Sequence, residues 1–336
     1  MQNLLDPAIL FFVFGVLAGA LKSNLEIPPA ISKFLSLYLL MALGLKGGFA
    51  LAQSGMSGTV MVSLAAAVLM AFIVPALGYQ LLKSRVSRFD AAAIAASYGS
   101  VSAVTFVTAM QYLEANQMAF GGHMAVAMVL MESPAIIMAV LLANTLRHSQ
   151  QVANAVVPAG GGTATVLGRP ATGPSLGKIL HESFTDGAHL LLLGAMAIGY
   201  LSGDAGKAVM APFSSDLFKG MLAFFLLDMG LMVARNLPSV RTTSPVLIAY
   251  AGIGPLVHAA IALALSALLQ LPAADAALLM VLSASASYIV VPAVLRYAIP
   301  EANPSLYFGL SLAITFPLNI LFGIPLYTFV ARHVLG

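Results

Sequence analysis

Two clusters of small hydroxyl residues interrupt stretches of the sequence that are otherwise apolar. Their residues are Ser97, Tyr98, Gly99, Ser100, Ser102 and Thr105 in the first cluster, and Ser283, Ser285, Ser287 and Tyr288 in the second. Hydroxyl groups donate hydrogen bonds to anions, and their oxygens can also ligate hard cations. The residue types therefore indicate that a small ion is bound at these clusters.

The two clusters belong to a repeated segment. Residues 90–116 read DAAAIAASYGSVSAVTFVTAMQYLEAN, and residues 275–303 read DAALLMVLSASASYIVVPAVLRYAIPEAN. We interpret each copy as a membrane helix that is broken at its hydroxyl cluster. A backbone group left unpaired in lipid costs several kcal/mol, so such a break is tolerated only where it faces protein or a water-filled cavity. Two matched breaks in the two halves of a chain are typical of a transporter's binding site.

Each break would also create the N-terminus of a half-helix. The unpaired N–H groups and the positive dipole end of such a terminus favour an anion, without any need for arginine. The simpler alternative is that serine and glycine let helices pack closely in a membrane. One hydroxyl-rich helix does not distinguish the two explanations, but two matched copies favour a site.

Two carboxylates also fall inside apolar segments. Glu132 precedes Ser133-Pro134, and Asp228 lies within FFLLDMGLM. Because a charge inside the membrane is costly and usually functional, both are candidates for sodium binding or proton transfer. The alternative is that neighbouring hydroxyls and amides satisfy them. The remaining candidate cation ligands are Ser97, Ser283 and Asn319, although Asn319 could equally form a hydrogen bond across helices.

The composition defines the class of protein. The chain is 60% hydrophobic and 8% charged, with a mean hydropathy of +0.97, whereas soluble domains are about 25% charged. This predicts an all-α polytopic membrane protein in a lipid bilayer. A net charge of +3 does not favour nucleic acid, and the absence of cysteine excludes disulfides and thiol catalysis. Motifs such as HExxH, GxSxG and the Walker loop are missing, so we do not expect an enzyme.

Ten apolar segments are predicted to cross the membrane, five in each half. Their ranges are 7–21, 30–46, 58–82, 90–112 and 120–146, followed by 185–203, 213–233, 243–269, 275–297 and 305–332. Five helices per half would invert the second copy relative to the first, as in many transporters. Lys46 precedes two glycines and is expected at a break near the end of its span, with its amine reaching the interface.

The predicted organisation has three parts. They are a first five-helix repeat at 1–146, a flexible cytoplasmic loop at 147–178 and an inverted second repeat at 179–336. Lysine and arginine are enriched in cytoplasmic loops. Placing the N-terminus outside puts most of the fifteen Lys and Arg residues on the cytoplasmic side, so both termini are predicted to lie outside the cytoplasm.

Several segments resemble the SbtA-type sodium-dependent bicarbonate transporters. They are LGLKGG (43–48), GSVSAVTFVTA (99–109), MESPAIIMAVLLAN (131–144), GPLVHAAIA (254–262) and AVLRYAIPEANPSLYFGLSLAITFP (293–317), in which IPEANPS is the most specific part. The resemblance implies a homotrimeric elevator-type transporter in the bacterial inner membrane. It also implies bicarbonate between the two breaks, sodium beside it and a PII-like regulatory trimer on the cytoplasmic face.

The resemblance also implies site residues. The bicarbonate contacts would be Gly99, Ser100, Ser102 and Thr105 from the first break, and Ser285 and Ser287 from the second. Two features depart from the family pattern. Tyr288 and Val290-Val291 stand where cyanobacterial members carry an aspartate and then Ser-Gly, and Glu132 stands where they carry an aspartate.

The sequence therefore predicts sodium-coupled uptake of bicarbonate by an elevator mechanism, with sodium as the only cofactor. One alternative is a sodium- or proton-coupled carrier of another small anion, such as a carboxylate, which Tyr288 and the two valines would suit. The other is a passive anion channel, since paired broken helices also occur in channels.

Overall fold

A computed structural model describes residues 5–55, 57–155, 187–240 and 243–336. The described residues form helices joined by turns and contain no strand. The helices are α1 (Pro7–Ala20), α2 (Pro29–Ser54), α3 (Gly58–Leu82), α4 (Arg88–Gly99), α5 (Ala103–Ala115), α6 (Met124–Ala155), α7 (Gly187–Ala211), α8 (Phe218–Val240), α9 (Pro245–Leu268), α10 (Ala273–Ala284), α11 (Val290–Ala298) and α12 (Pro304–Leu335). Three π-helical turns occur, at Pro212–Asp216 between α7 and α8, and at Ser311–Thr315 and Asn319–Gly323 within α12.

Seven of the described segments are long and apolar enough to cross a membrane. They are Pro29–Gln53, Gly58–Leu82, Arg88–Ala115, Met124–Arg147, Leu190–Pro238, Pro245–Leu268 and Pro304–Leu335. The apolar helices α1 and α10 are shorter. The chain is therefore an all-helical, multi-pass membrane protein over its described residues. The number of ten crossings and the inverted repeat stay predictions.

Several helix ends differ from the predicted spans, and two of the differences change the predicted organisation. α2 continues through Lys46 to Ser54, so no break occurs in LGLKGG. The glycines there serve close packing instead, since a Cβ at Gly48 would lie 2.1 Å from the carbonyl oxygen of Met196 on α7. The loop predicted from residue 147 also begins later, because α6 extends to Ala155 through polar residues that a helix accepts. The rest of that loop, 156–178, lies outside the described residues.

The first bundle consists of α1, α2, α7 and α8. α1 packs along α8, and α2 packs along α7. Glycines on both helices bring α1 and α8 very close together. A Cβ at Gly15 would lie 2.3 Å from the Leu227 carbonyl oxygen, and a Cβ at Gly230 would lie 2.2 Å from the Phe12 carbonyl oxygen. Small residues at such interfaces let backbones approach, and van der Waals contact then holds the helices together in lipid.

The second bundle consists of α3–α6 and α9–α12. α3 packs against α4 and α6, while α10 packs against α9 and α12. The short helices α4 and α10 occupy its interior, since every residue is buried from Ala91 to Gly99 and from Ala274 to Ala284. Longer helices therefore surround the two predicted breaks.

A carboxylate anchors the start of each broken helix to the backbone that follows the other one. Asp90 of α4 accepts the Asn303 N–H at 2.7 Å, after the end of α11. Asp275 of α10 accepts the Gly121 N–H at 2.7 Å, after the end of α5. Each broken segment therefore begins where the other ends, which is the arrangement of two antiparallel segments.

The glycine contact between α1 and α8 gives a stability prediction. Gly230→Ala places a methyl group against the Phe12 backbone, and overpacking of this kind costs about 1–3 kcal/mol. We expect a melting temperature several degrees lower in detergent. Gly220→Ala on the same helix is the matched control, because its Cβ would meet nothing within 4 Å. Equal shifts in the two variants would contradict the proposed packing.

Candidate functional site

The two breaks lie against each other. α4 ends at Gly99 and α10 ends at Ala284. Ser287 N–H donates to the Ser97 carbonyl oxygen at 2.8 Å, and Ser102 N–H donates to Ser285 Oγ at 3.0 Å. Each break thus supplies a partner for the other's backbone, as irregular backbone inside a membrane requires. Both interruptions occur where the sequence predicted them.

Ser102 joins the two breaks and begins α5. Its Oγ accepts the Thr105 N–H at 3.2 Å as the N-cap of α5, and it accepts the Thr105 hydroxyl at 2.9 Å. It also lies 3.5 Å from the Tyr288 hydroxyl, which is a long contact. Side-chain capping of this kind satisfies one of the free N–H groups at a helix start.

A second serine occupies the corresponding place at the other break. Ser287 Oγ accepts the Val291 N–H at 3.3 Å, at the start of α11. Ser285 Oγ donates to the Leu282 carbonyl oxygen at 2.8 Å and so stays close to the end of α10. Two half-helices, α5 and α11, therefore begin at the junction of the breaks, where their N-termini favour an anion.

A cavity of about 70 Å³ adjoins this junction. Its lining includes Ser102, Ser287, Tyr288, Glu132 and Ser36. Since one water needs about 10–15 Å³ of such space, the cavity has room for a few waters or one small ion. Ser36 belongs to α2, so the cavity lies between the two bundles. Glu132 of α6 lines the same cavity as the hydroxyl residues, and its role as a cation ligand stays a prediction.

Three serine hydroxyls near the junction are buried without a hydrogen-bond partner among the described residues. They are Ser97, Ser100 and Ser283, each at most 1% exposed. An unsatisfied buried hydroxyl costs about 1–3 kcal/mol, so a water or an ion would be stabilised here. Ser97 and Ser283 are predicted cation ligands, and Ser100 is a predicted bicarbonate contact.

Two other predicted residues support the breaks through packing or hydrogen bonds. A Cβ at Gly99 would lie 2.6 Å from ring carbons of Pro75 on α3, so glycine is needed there for space. Asn319 donates from Nδ2 to the Ala284 carbonyl oxygen at 2.8 Å and accepts from the Tyr327 hydroxyl at 3.1 Å. Asn319 therefore forms one hydrogen bond within α12 and one across to α10, and the second fixes the last residue of α10.

Asp228 lies on α8 and is 6% exposed, and its Oδ2 has no hydrogen-bond partner among the described residues. Its neighbour Met229 is the residue that reaches the site, with its sulfur 3.8 Å from the Tyr288 hydroxyl. Within the described residues, no hydrogen bond or ion pair connects Asp228 to either break, so its role as a sodium ligand stays a prediction.

Comparison with known families identifies the chain. A family model described as the Na⁺-dependent bicarbonate transporter superfamily matches residues 7–332. The chain belongs to this superfamily. A comparison with curated proteins gives no match. The resemblance that IPEANPS and the other segments indicated is confirmed, and because this superfamily consists of transporters, the prediction that the chain is not an enzyme is also confirmed.

Several contacts of this transporter were missed by the sequence reasoning. Thr315 in α12 bonds the Tyr98 hydroxyl at 2.7 Å and the Ala251 carbonyl oxygen at 2.8 Å, which ties α12 to α4 and α9. Lys46 pairs with Glu114 of α5 at 3.1 Å. Both contacts join residues that are far apart in the sequence. The one available signal was that Thr315 is polar within the apolar run before Pro317, which could have indicated that it bonds to a neighbouring helix.

The family segment IPEANPS is held by an ion pair. Arg147 at the end of the α6 membrane span binds both carboxylate oxygens of Glu301 at 2.8 Å, and it donates to the Ala298 carbonyl oxygen at 2.9 Å. Hydrogen bonding from Arg147 lowers the pKa of Glu301 below its ordinary value. Glu301 is 38% exposed, so the pair contributes less than about 1 kcal/mol.

This ion pair makes stability depend on pH. Because the pKa of Glu301 is lowered by folding, its contribution is present above the ordinary glutamate pKa of about 4.3 and is lost as the pH falls through the lower folded value. We therefore expect wild type to melt above Glu301→Gln at pH 7, with the difference closing below about pH 4. A difference that does not change with pH would contradict this assignment.

Proposed function

We propose that the chain takes up bicarbonate together with sodium as a secondary active transporter. The observation that carries the proposal is the junction of two hydroxyl-rich breaks at a small cavity, in a chain of this superfamily. Two half-helix N-termini and several hydroxyls can bind a small anion without a basic side chain. No motif for energy supply by nucleotide hydrolysis occurs in the sequence.

The proposed bicarbonate site combines residues of both breaks. Its members are Gly99, Ser100, Ser102, Thr105, Ser285, Ser287 and Tyr288. Of these, Ser102 and Ser287 offer hydroxyls at helix starts, and Ser100 offers a hydroxyl without a described partner. Gly99 contributes by letting the break approach Pro75.

The proposed sodium ligands come from several helices and are Ser97, Glu132, Asp228, Ser283 and Asn319. Glu132 would supply a carboxylate at the cavity, and Ser97 and Ser283 would supply hydroxyl oxygens from α4 and α10. Sodium would lower the repulsion between Glu132 and bicarbonate and would order the breaks. The anion would then bind well only with the cation present, which is a coupling free energy between the two ligands.

The mechanism that we propose is an elevator, in which the second bundle moves against the first. The cavity supports this proposal because Ser36 of the first bundle faces Ser102 and Ser287 of the second. The antiparallel anchoring through Asp90 and Asp275 supports an inverted repeat. From the family resemblance we also propose a homotrimer in a bacterial inner membrane, with a PII-like regulator on the cytoplasmic face. From the distribution of lysine and arginine we propose that both termini lie outside the cytoplasm.

A second candidate substrate is a small carboxylate. The cavity wall includes Tyr288, Ile289 and Val290. The wall is therefore less polar than one formed only by serine and threonine hydroxyls. Such a wall could accommodate the short apolar part of an organic anion. The passive anion channel remains the alternative from another class, and it differs in needing no sodium gradient.

Uptake of labelled bicarbonate into proteoliposomes tests the proposal. We expect saturable uptake that an inward sodium gradient accelerates and that an equal potassium gradient does not. Uptake that is independent of sodium and does not saturate would favour the channel. Stronger inhibition by acetate than by unlabelled bicarbonate would favour the carboxylate carrier. Folded protein without any bicarbonate uptake would contradict the proposal.

The hydroxyl of Thr105 gives a sharper prediction. Thr105→Val keeps the shape but removes a hydroxyl, now bonded to Ser102, that would donate to bound bicarbonate. One such hydrogen bond to the ligand is worth about 1 kcal/mol, or about fivefold in affinity. We expect the KM for bicarbonate to rise about fivefold. Thr328→Val is the matched control, because the Thr328 hydroxyl bonds only to the Ile324 carbonyl oxygen of its own helix. Similar kinetics in both variants would argue against the site.

A further inference from the structure

A second cavity, of about 260 Å³, lies between the two bundles near the start of α1. One wall is formed by the first bundle, through Asp6 and Ile9 at α1 and Leu222 on α8. The other wall belongs to the second bundle, through the segments 108–116 of α5 and 320–325 of α12. A molecule bound here would therefore contact both bundles at once.

The polar lining residues are Asp6, Thr108, Gln111, Tyr112 and Asn116. Most of their free groups are oxygen acceptors, because the Thr108 hydroxyl and the Asn116 amide already donate to the carbonyl oxygens of Val104 and Tyr112. Gln111 lines it and is 8% exposed, and its Oε1 has no hydrogen-bond partner among the described residues. The carboxylate of Asp6 lies at the same cavity, and one of its oxygens caps α1 by accepting the Ala8 N–H at 2.8 Å. No lysine, arginine or histidine is among the described lining residues. The lining therefore favours a ligand that carries positive charge and donates hydrogen bonds.

Apolar side chains line the cavity beside these polar groups. Leu222, Ile320 and Ile324 face the cavity beside the polar groups. Ligand pockets typically occupy about 300–1,000 Å³ and combine apolar walls with a few polar groups that orient the ligand. This cavity is slightly smaller, so it suits a compact molecule with an ammonium group on a small apolar body.

The cavity is connected to the ion site by a single helical turn. Ile320 belongs to the π-helical turn Asn319–Gly323, and such turns often occur at functional sites. Asn319 in the same turn holds the Ala284 carbonyl oxygen, which ends α10 at the second break. A ligand packed against Ile320 would thus fix the turn that supports the break and would also hold the bundles together.

We propose that this cavity is a regulatory site for a small organic ammonium ligand. By contacting both bundles, the ligand opposes their relative movement and slows transport without competing with bicarbonate. The effect on transport rests on the proposed function, whereas binding of the ligand does not depend on it.

Calorimetric titration of the full chain in nanodiscs of neutral lipid, with empty nanodiscs as the blank, tests the proposal. The probes are benzylammonium and the neutral benzyl alcohol, which has nearly the same size. We expect benzylammonium to bind several-fold more tightly than benzyl alcohol. Equal affinity of the two probes, or no binding of benzylammonium, would overturn the proposal.

Two variants locate the charge preference. Asp6→Asn keeps an N-cap residue, because asparagine caps helices as well as aspartate does, but it removes the charge. We expect the preference for benzylammonium to disappear in Asp6→Asn. Asp204→Asn is the control, since Asp204 bonds Gln53 and does not line the cavity. A preference that survives Asp6→Asn would overturn the proposal.

Uptake measurements separate this proposal from the proposed function. In wild type, benzylammonium should lower the maximal rate of bicarbonate uptake and leave KM unchanged, and this inhibition should weaken several-fold in Asp6→Asn. A rise in KM alone would overturn the regulatory role, because it would indicate competition at the ion site. Charge-dependent binding in a chain without sodium-dependent uptake would support this site and would contradict the proposed function.

Discussion

The structure depends on the need to pair every backbone group inside the membrane. α4 and α10 both stop in the interior of the second bundle, where no bulk water can satisfy the freed groups. The two breaks solve this by pairing with each other, through Ser287 N–H to the Ser97 carbonyl oxygen and Ser102 N–H to Ser285 Oγ. Each break contains a backbone group whose hydrogen-bond partner lies in the other break. A site at their junction therefore includes residues from both halves of the chain.

The two bundles differ in how they are built and in which groups they carry. The first bundle is held by close glycine contacts, as between Gly15 and Gly230, which favour a rigid framework. The second bundle places hydroxyls, a carboxylate and two half-helix N-termini at its centre. Asp90 and Asp275 fix the ends of the broken helices, which keeps the junction in register. The cavity at the breaks and the larger cavity at Gln111 both lie between the bundles, where relative movement would change their shape.

The sequence predicted the parts of the site that depend on local pattern. The matched hydroxyl clusters located both breaks, and the IPEANPS segment indicated the superfamily. Residues whose role depends on a distant partner were not predictable. Gly47 and Gly48 resembled a break because glycine serves both breaks and close packing, and only the approach of α7 distinguishes them. The contact between Met229 on α8 and the Tyr288 hydroxyl at the second break joins two residues that are far apart in the sequence, and sequence spacing does not reveal it.

Hydrogen–deuterium exchange at the two breaks tests the central claim, that they form one ion site, most directly. Exchange would be followed in peptides that cover residues 97–105 and 283–291, with sodium bicarbonate, sodium chloride and potassium bicarbonate compared at equal ionic strength. The account predicts that sodium and bicarbonate together slow exchange in both segments, and that either ion alone does so less. Slower exchange in only one segment, or no change in either, would contradict a shared site.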